Sequence, residues 1–153
     1  MQLTDIFLRL GTEHFEQLLR TVSIGRLKTY KLYERMKLRL HLNKLNSETL
    51  RHSAPRLWKR FEEQDEVLAT ELSQCILISH MDMIKAALDH HGIEHEDGFF
   101  SKDAEVAGHL TEGWQARTWE ALKGTHPPSA LLFYINHLGF EAGNSTEVFL
   151  PAA

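Results

Sequence analysis

Apolar residues recur at three- and four-residue intervals along most of this chain, the spacing of amphipathic helices. In LTDIFLRL, Leu3, Ile6, Phe7 and Leu10 fall on one face, with Thr4 available as a cap. Gly11 and Thr12 interrupt the pattern, which resumes with Phe15, Leu18, Leu19 and Val22. Glu13 and Glu16 lie in the early turns, where a helix dipole favours acids. A second break is expected at Ser23 to Gly25. Residues 46–61 predict a short helix and a stop before Pro55, because the residue preceding a proline is pushed out of the helical region. Pro55 then sits in the first turn of a helix carrying Leu57, Trp58 and Phe61.

From Asp65 onward Leu68, Leu72, Cys75 or Ile76, and Ser79 align, and the four consecutive apolar residues 75–78 overflow a single stripe. The pattern predicts a central helix near residues 66–78, covered on two sides. Ser79 and Asp82 have the spacing of a capping box, so a break is expected there. The following helix is predicted to end at Gly92 in a left-handed cap, with Ile93 making the accompanying apolar contact. Three further helical stretches follow within 101–140, with Gly124 and Gly139 as stops. Residues 143–153 read as an extended or loose tail.

One segment carries two periods. Met36, Leu38, Leu40 and Leu42 alternate with Lys37, Arg39, His41 and Asn43, as in a strand. Residues 30–45 nevertheless contain no β-branched side chain and are rich in helix formers, so helix is favoured. The sum is an all-α fold, a compact multi-helix domain of about six to eight helices in a single domain of 153 residues.

Composition adds constraints. Hydrophobic residues at 42% and charged residues at 25% are ordinary for a globular domain, and no apolar run approaches the ~18 residues of a membrane helix. The N-terminal residues lack the pattern of a secretory leader, since Asp5 falls where a charge-free stretch should begin. One cysteine, Cys75, forbids an internal disulfide and reads as a small buried hydrophobe. A cytoplasmic protein without membrane association is the expectation.

Charge is distributed unevenly. Residues 20–60 hold twelve Lys or Arg against two acids, whereas residues 61–153 hold four against sixteen. The basic stretch RLKTYKLYERMKLRLHLNK, with Lys28, Lys31, Arg35, Lys37, Arg39 and Lys44, is the candidate nucleic-acid surface: its lysines and arginines suit phosphates, and Tyr30, Tyr33 and Trp58 suit stacked bases. Against it, the bases are not confined to one stripe, no recognised reader motif is present, and the acidic half supplies enough carboxylates to neutralise them.

Candidate chemistry is sparse. The cluster DHHGIEHEDG offers His90, His91, His95 and Asp97 as metal ligands, but Gly92 interrupts the one helical pair, His91 and His95. Phosphate-loop, dinucleotide and nucleophile-elbow motifs are missing. Trp114 and Arg117 share a helix face, which suits a stacking site, although core packing of the tryptophan explains it more simply. The favoured reading is a non-catalytic helical interaction protein, acting through a protein partner or self-association, with no catalytic residue, no metal and no cofactor. The alternatives are nucleic-acid binding through residues 26–60 and, behind it, a metal-dependent enzyme built on residues 90–97.

Overall fold

The computed structural model describes residues 1–23, 47–100, 104–143 and 147–151. Among them the fold is all-α, with nine helices and no strand. The count exceeds six to eight because short turns such as the four-residue Val106–His109 wind far enough to register as helices. Residues 36–45, whose period was double, lie outside the described residues, as do all six basic residues of the candidate nucleic-acid surface. The chain divides into two compact units, 1–79 and 80–153.

In the first unit, α1 (Leu3–Leu10), α2 (Thr12–Arg20), α3 (Ser47–His52), α4 (Ala54–Glu62) and α5 (Glu66–Ser79) surround an aromatic core. Phe7 of α1 stacks on Phe61 of α4 with ring centroids 4.5 Å apart. Phe15 of α2 meets both edge-on, at 5.7 Å and 5.3 Å. The N-terminus of α1 is not capped by Thr4, which lies inside the helix, buried, with its hydroxyl lacking a hydrogen-bond partner among the described residues. Glu66 does that work: its carboxylate accepts the Leu3 and Thr4 N–H groups at 2.7 Å and 3.2 Å, from 63 and 62 residues away. An Asp5 oxygen accepts the Gln2 N–H at 2.7 Å.

Helix α5 begins as an acid-capped helix should. Asp65 accepts the Leu68 N–H at 3.1 Å and forms an ion pair with Arg60 of α4. It buries Leu68, Ala69, Leu72, Ser73, Cys75 and Ile76 and packs against α1 and α4, so two neighbours cover it within the unit. The break after Ser79 falls where the pattern places it, but by another device. The Ser79 hydroxyl donates back to the Cys75 carbonyl and accepts the Ser23 N–H, both at 2.8 Å, and His80 takes the cap position of the next helix.

The second unit comprises α6 (Met81–His90), α7 (Val106–His109), α8 (Trp114–Leu122) and α9 (Pro128–Ala142). Helix α6 ends as expected: Gly92 is left-handed at φ +67°, its N–H meets the Asp89 carbonyl, and the buried Ile93 donates to the Leu88 carbonyl at 2.9 Å. Helix α9 packs on α7 and α8 and is buried from Ser129 to Gly139 except at Leu132. Gly139 is therefore not a stop. Burial carries the helix through it against the roughly 1 kcal/mol a glycine costs in a helix interior, and Gly143, left-handed, ends it.

Asn136, only 2% exposed, ties the last described segment to α9. Its side-chain N–H group donates to the Leu132 and Phe149 carbonyls at 2.9 Å and 3.1 Å, and its oxygen accepts the Phe149 N–H at 2.7 Å. One side chain thus reproduces a strand-like pairing for one residue of the tail. Replacing Asn136 by Ala removes both partners of Phe149 at once, at an expected cost of about 1–3 kcal/mol. Amide exchange should accelerate selectively at Phe149; protection equal to the parent protein would show the pairing to be idle.

Candidate functional site

The histidine cluster does not converge. His95 accepts the Gly98 N–H on Nδ1 at 3.0 Å, so its proton sits on Nε2, which donates to Asp89 at 2.7 Å. Asp97 is turned to solvent, 4.0 Å from Lys85. His91 points elsewhere, to the Thr118 hydroxyl of α8 and the edge of the Trp114 ring at 5.7 Å. Gly92 reverses the chain between His91 and His95, which separates the pair that helical spacing would have joined. Among the described residues no group of three or more His, Cys, Asp or Glu is placed to hold a metal ion.

The contact between His91 and Thr118 resembles a base beside a nucleophile, but the hydrogen-bond roles oppose that. The Thr118 hydroxyl donates to the Trp114 carbonyl at 2.7 Å, and a carbonyl can only accept. Thr118 therefore accepts from His91 Nε2–H, and the imidazole is oriented as a donor, not as a base toward that oxygen. Burial, followed by repulsion from His90, Arg117 and His109, pulls the His91 pKa down to about 4. Trp114 is 4% exposed and serves the core. Arg117 does not stack on it; its guanidinium donates to the Glu112 carbonyl at 2.6 Å and the Thr111 hydroxyl at 2.7 Å. Gly113 permits this, since a side chain there would begin 3.2 Å from Arg117 Nη1 and the backbone stands at φ +77°.

A second polar feature lies on α9. Tyr134 and His137 are three apart, each at most 6% exposed, and the Tyr134 hydroxyl and His137 Nδ1 have no hydrogen-bond partner among the described residues. Glu141 lies one turn beyond, its Oε2 3.7 Å from His137 Nδ1, too long for a hydrogen bond. Desolvation dominates all three: it draws His137 down to about 4 and pushes Tyr134 and Glu141 up, the Glu141 charge adding to the shift at Tyr134.

The first unit contains an open pocket of about 250 Å³, lined among the described residues by Thr12, Phe15, Glu16, Ala54, Pro55 and Trp58. Helices α2 and α4 pack together, so the first turns of both help to line it. Phe15 and Trp58 form its aromatic wall, with ring centroids 5.8 Å apart and planes tilted by 43°. Trp58 is only half-buried, unlike Phe15 behind it. The Glu16 carboxylate is exposed and has neither an ion-pair nor a hydrogen-bond partner among the described residues. The periodicity marks Phe15 and Trp58 as helix-face residues, but it does not bring them together across 43 positions; the one local signal is Pro55 starting a helix whose next turn carries a large aromatic.

No protein-family model, curated protein or solved structure matches this chain.

Proposed function

We propose that this chain is a non-catalytic helical interaction protein and that its first unit receives a lysine side chain of a partner protein in the Phe15–Trp58 pocket. The carrying observation is the aromatic wall beside Glu16, a carboxylate without a partner among the described residues, in an open pocket of side-chain size. An ammonium group is attracted to the faces of aromatic rings, most strongly to tryptophan. The carboxylate supplies the opposite charge. Ala54 and Pro55 offer apolar surface for the methylene stem, which lysine buries while its head stays near water. A cytoplasmic setting accords with one buried free thiol, Cys75. The absence of any long apolar helix among the described residues accords with a partner other than the membrane interior.

The test uses N-acetyl-lysine amide and N-acetyl-norleucine amide, which differ in the ammonium group. The indole N–H resonance of Trp58, assigned by loss in Trp58→Phe, should shift saturably with the lysine compound at millimolar concentration and little with norleucine. Glu16→Gln should weaken the lysine response by about tenfold, the factor that corresponds to 1.4 kcal/mol. Equal responses to the two compounds, or none to either, would remove the pocket from the account.

A further inference from the structure

The Phe15–Trp58 pocket is short of hydrogen-bond acceptors. Among the described residues its polar side chains are Thr12 and Glu16, a hydroxyl and a carboxylate; Phe15, Ala54, Pro55 and Trp58 are apolar or aromatic. Thr12 opens α2 and Glu16 follows one turn later, so both polar groups come from the same helix. Ala54 and Pro55 open α4, and Trp58 stands one turn on. The pocket therefore has a polar side on α2 and an apolar side on α4, with the Phe15 ring, only 1% exposed, behind the tryptophan.

An unmodified lysine brings a compact, strongly hydrated ammonium with three N–H donors. Donors turned toward Trp58 and Pro55 meet no acceptor, and shedding their water on that side is costly. A methyl group in place of such a donor removes the cost and adds apolar contact. The nitrogen keeps its positive charge on methylation, so the attraction to the ring face and to Glu16 remains. Each methyl group moved from water onto apolar surface favours binding by about fourfold. A third methyl group has the opposite consequence on the α2 side: it removes the last N–H, and with it the charge-assisted hydrogen bond that Glu16 can accept.

We propose, resting on the lysine reading of this pocket, that its occupant is a dimethylated lysine side chain of a partner protein. The single remaining N–H donates to Glu16, the two methyl groups lie against Trp58 and Pro55, and the stem crosses Ala54. The polar and apolar sides of the pocket thus match the two kinds of substituent on one nitrogen. Binding of the partner then depends on its methylation state, and the pocket acts as a reader of that modification.

The full chain would be titrated with N-acetyl-lysine amide in its unmodified, dimethylated and trimethylated forms, with the neutral tert-butyl isostere of the trimethylated form, and with dimethylammonium chloride, the head group without its stem. The readouts are the Trp58 indole N–H and the ligand N-methyl resonances, which move upfield when they sit over a ring face. The dimethylated compound should bind about tenfold more tightly than the unmodified one, and several-fold more tightly than the trimethylated one. The neutral isostere and dimethylammonium should each bind far more weakly. Glu16 is exposed on α2, so Glu16→Ala should leave the unfolding midpoint unchanged; it should also invert the order of the dimethylated and trimethylated compounds. Equal affinity for the unmodified and dimethylated forms would overturn methyl selection and leave the lysine reading standing. No response to any of the three lysine compounds would remove both. A trimethylated form that binds most tightly, or an order that survives Glu16→Ala, would overturn the hydrogen bond to Glu16 and the dimethyl assignment. Dimethylammonium binding as tightly as the full compound would overturn the assignment to a lysine side chain.

Discussion

Phe61→Ala is expected to destabilise the first unit by about 3–5 kcal/mol, the range for truncating a buried phenylalanine. The ring is fully buried at 0% exposure. It stacks on Phe7 with planes 6° apart and takes the edges of Phe15 and Trp58 at 5.3 Å and 6.3 Å. Three helices, α1, α2 and α4, thus share one ring as their common contact. Truncation removes the transfer free energy of the ring and also the aromatic pair terms, each about 0.5–1.5 kcal/mol. Collapse around the void is opposed because Phe7 and Phe15 are anchored on separate helices. Urea unfolding followed at the tryptophans gives the value. A loss below ~1 kcal/mol would mean that the aromatic cluster is replaceable and that the aliphatic residues, Leu18, Leu19 and Leu57, hold the unit alone. Since Phe15 and Trp58 also wall the pocket, the same substitution should loosen that wall; Leu68→Val, in α5 and not a pocket-lining residue, is the control that lowers stability without changing the Trp58 environment.

The all-α class was readable because helix formation here is local: apolar residues at the right interval, and breaks at Gly11, Pro55 and Gly92 whose backbone chemistry acts within a turn. The left-handed end of α6 at Gly92 with Ile93 behind it involves six consecutive residues, and each can be named from the sequence. What was not readable depends on partners distant in sequence. Ser79 and Asp82 have the spacing of a capping box, yet Ser79 is taken by the Ser23 N–H, 56 residues earlier. Thr4 has the chemistry of a cap, but Glu66 supplies the acceptor from 62 residues later. Gly139 has the chemistry of a stop, and burial on α9 overrides it.

The candidate sites divide in the same way. His90, His91, His95 and Asp97 are neighbours in sequence, and adjacency suggested a common ligand. A single left-handed glycine sends His91 toward α8 and His95 toward its own turn. The residues that do meet His91 are Trp114 and Thr118, 23 and 27 positions on, brought to it by the packing of α6 on α8.

Acidification from pH 6.5 to pH 4 should destabilise the protein, with His137 contributing up to about 3 kcal/mol of the loss. The imidazole is 6% exposed, sits against the Phe133 and Phe140 rings, and has its pKa lowered to about 4 by burial. In the unfolded chain it titrates near the ordinary 6.5. Between these values the unfolded state binds a proton that the folded state refuses, so stability falls with pH across that window and levels out below pH 4. His91, also lowered to about 4, acts in the same direction, more weakly because it is partly exposed to solvent. Glu141 opposes both: its raised pKa means that the folded state takes up a proton before the unfolded state does, which favours folding as pH falls. The difference between parent and variant isolates His137. His137→Leu removes the titration and the unpaired Nδ1 together, so it should cost little at pH 7, where an orphaned polar atom is exchanged for a hydrocarbon. Its unfolding free energy should then depend on pH between 4.5 and 6.5 less steeply than that of the parent, by up to 1.4 kcal/mol per pH unit for one proton. Parallel pH profiles for the two proteins would show that His137 protonates freely in the folded state, and that the 3.7 Å approach of Glu141 closes to an ion pair strong enough to outweigh burial.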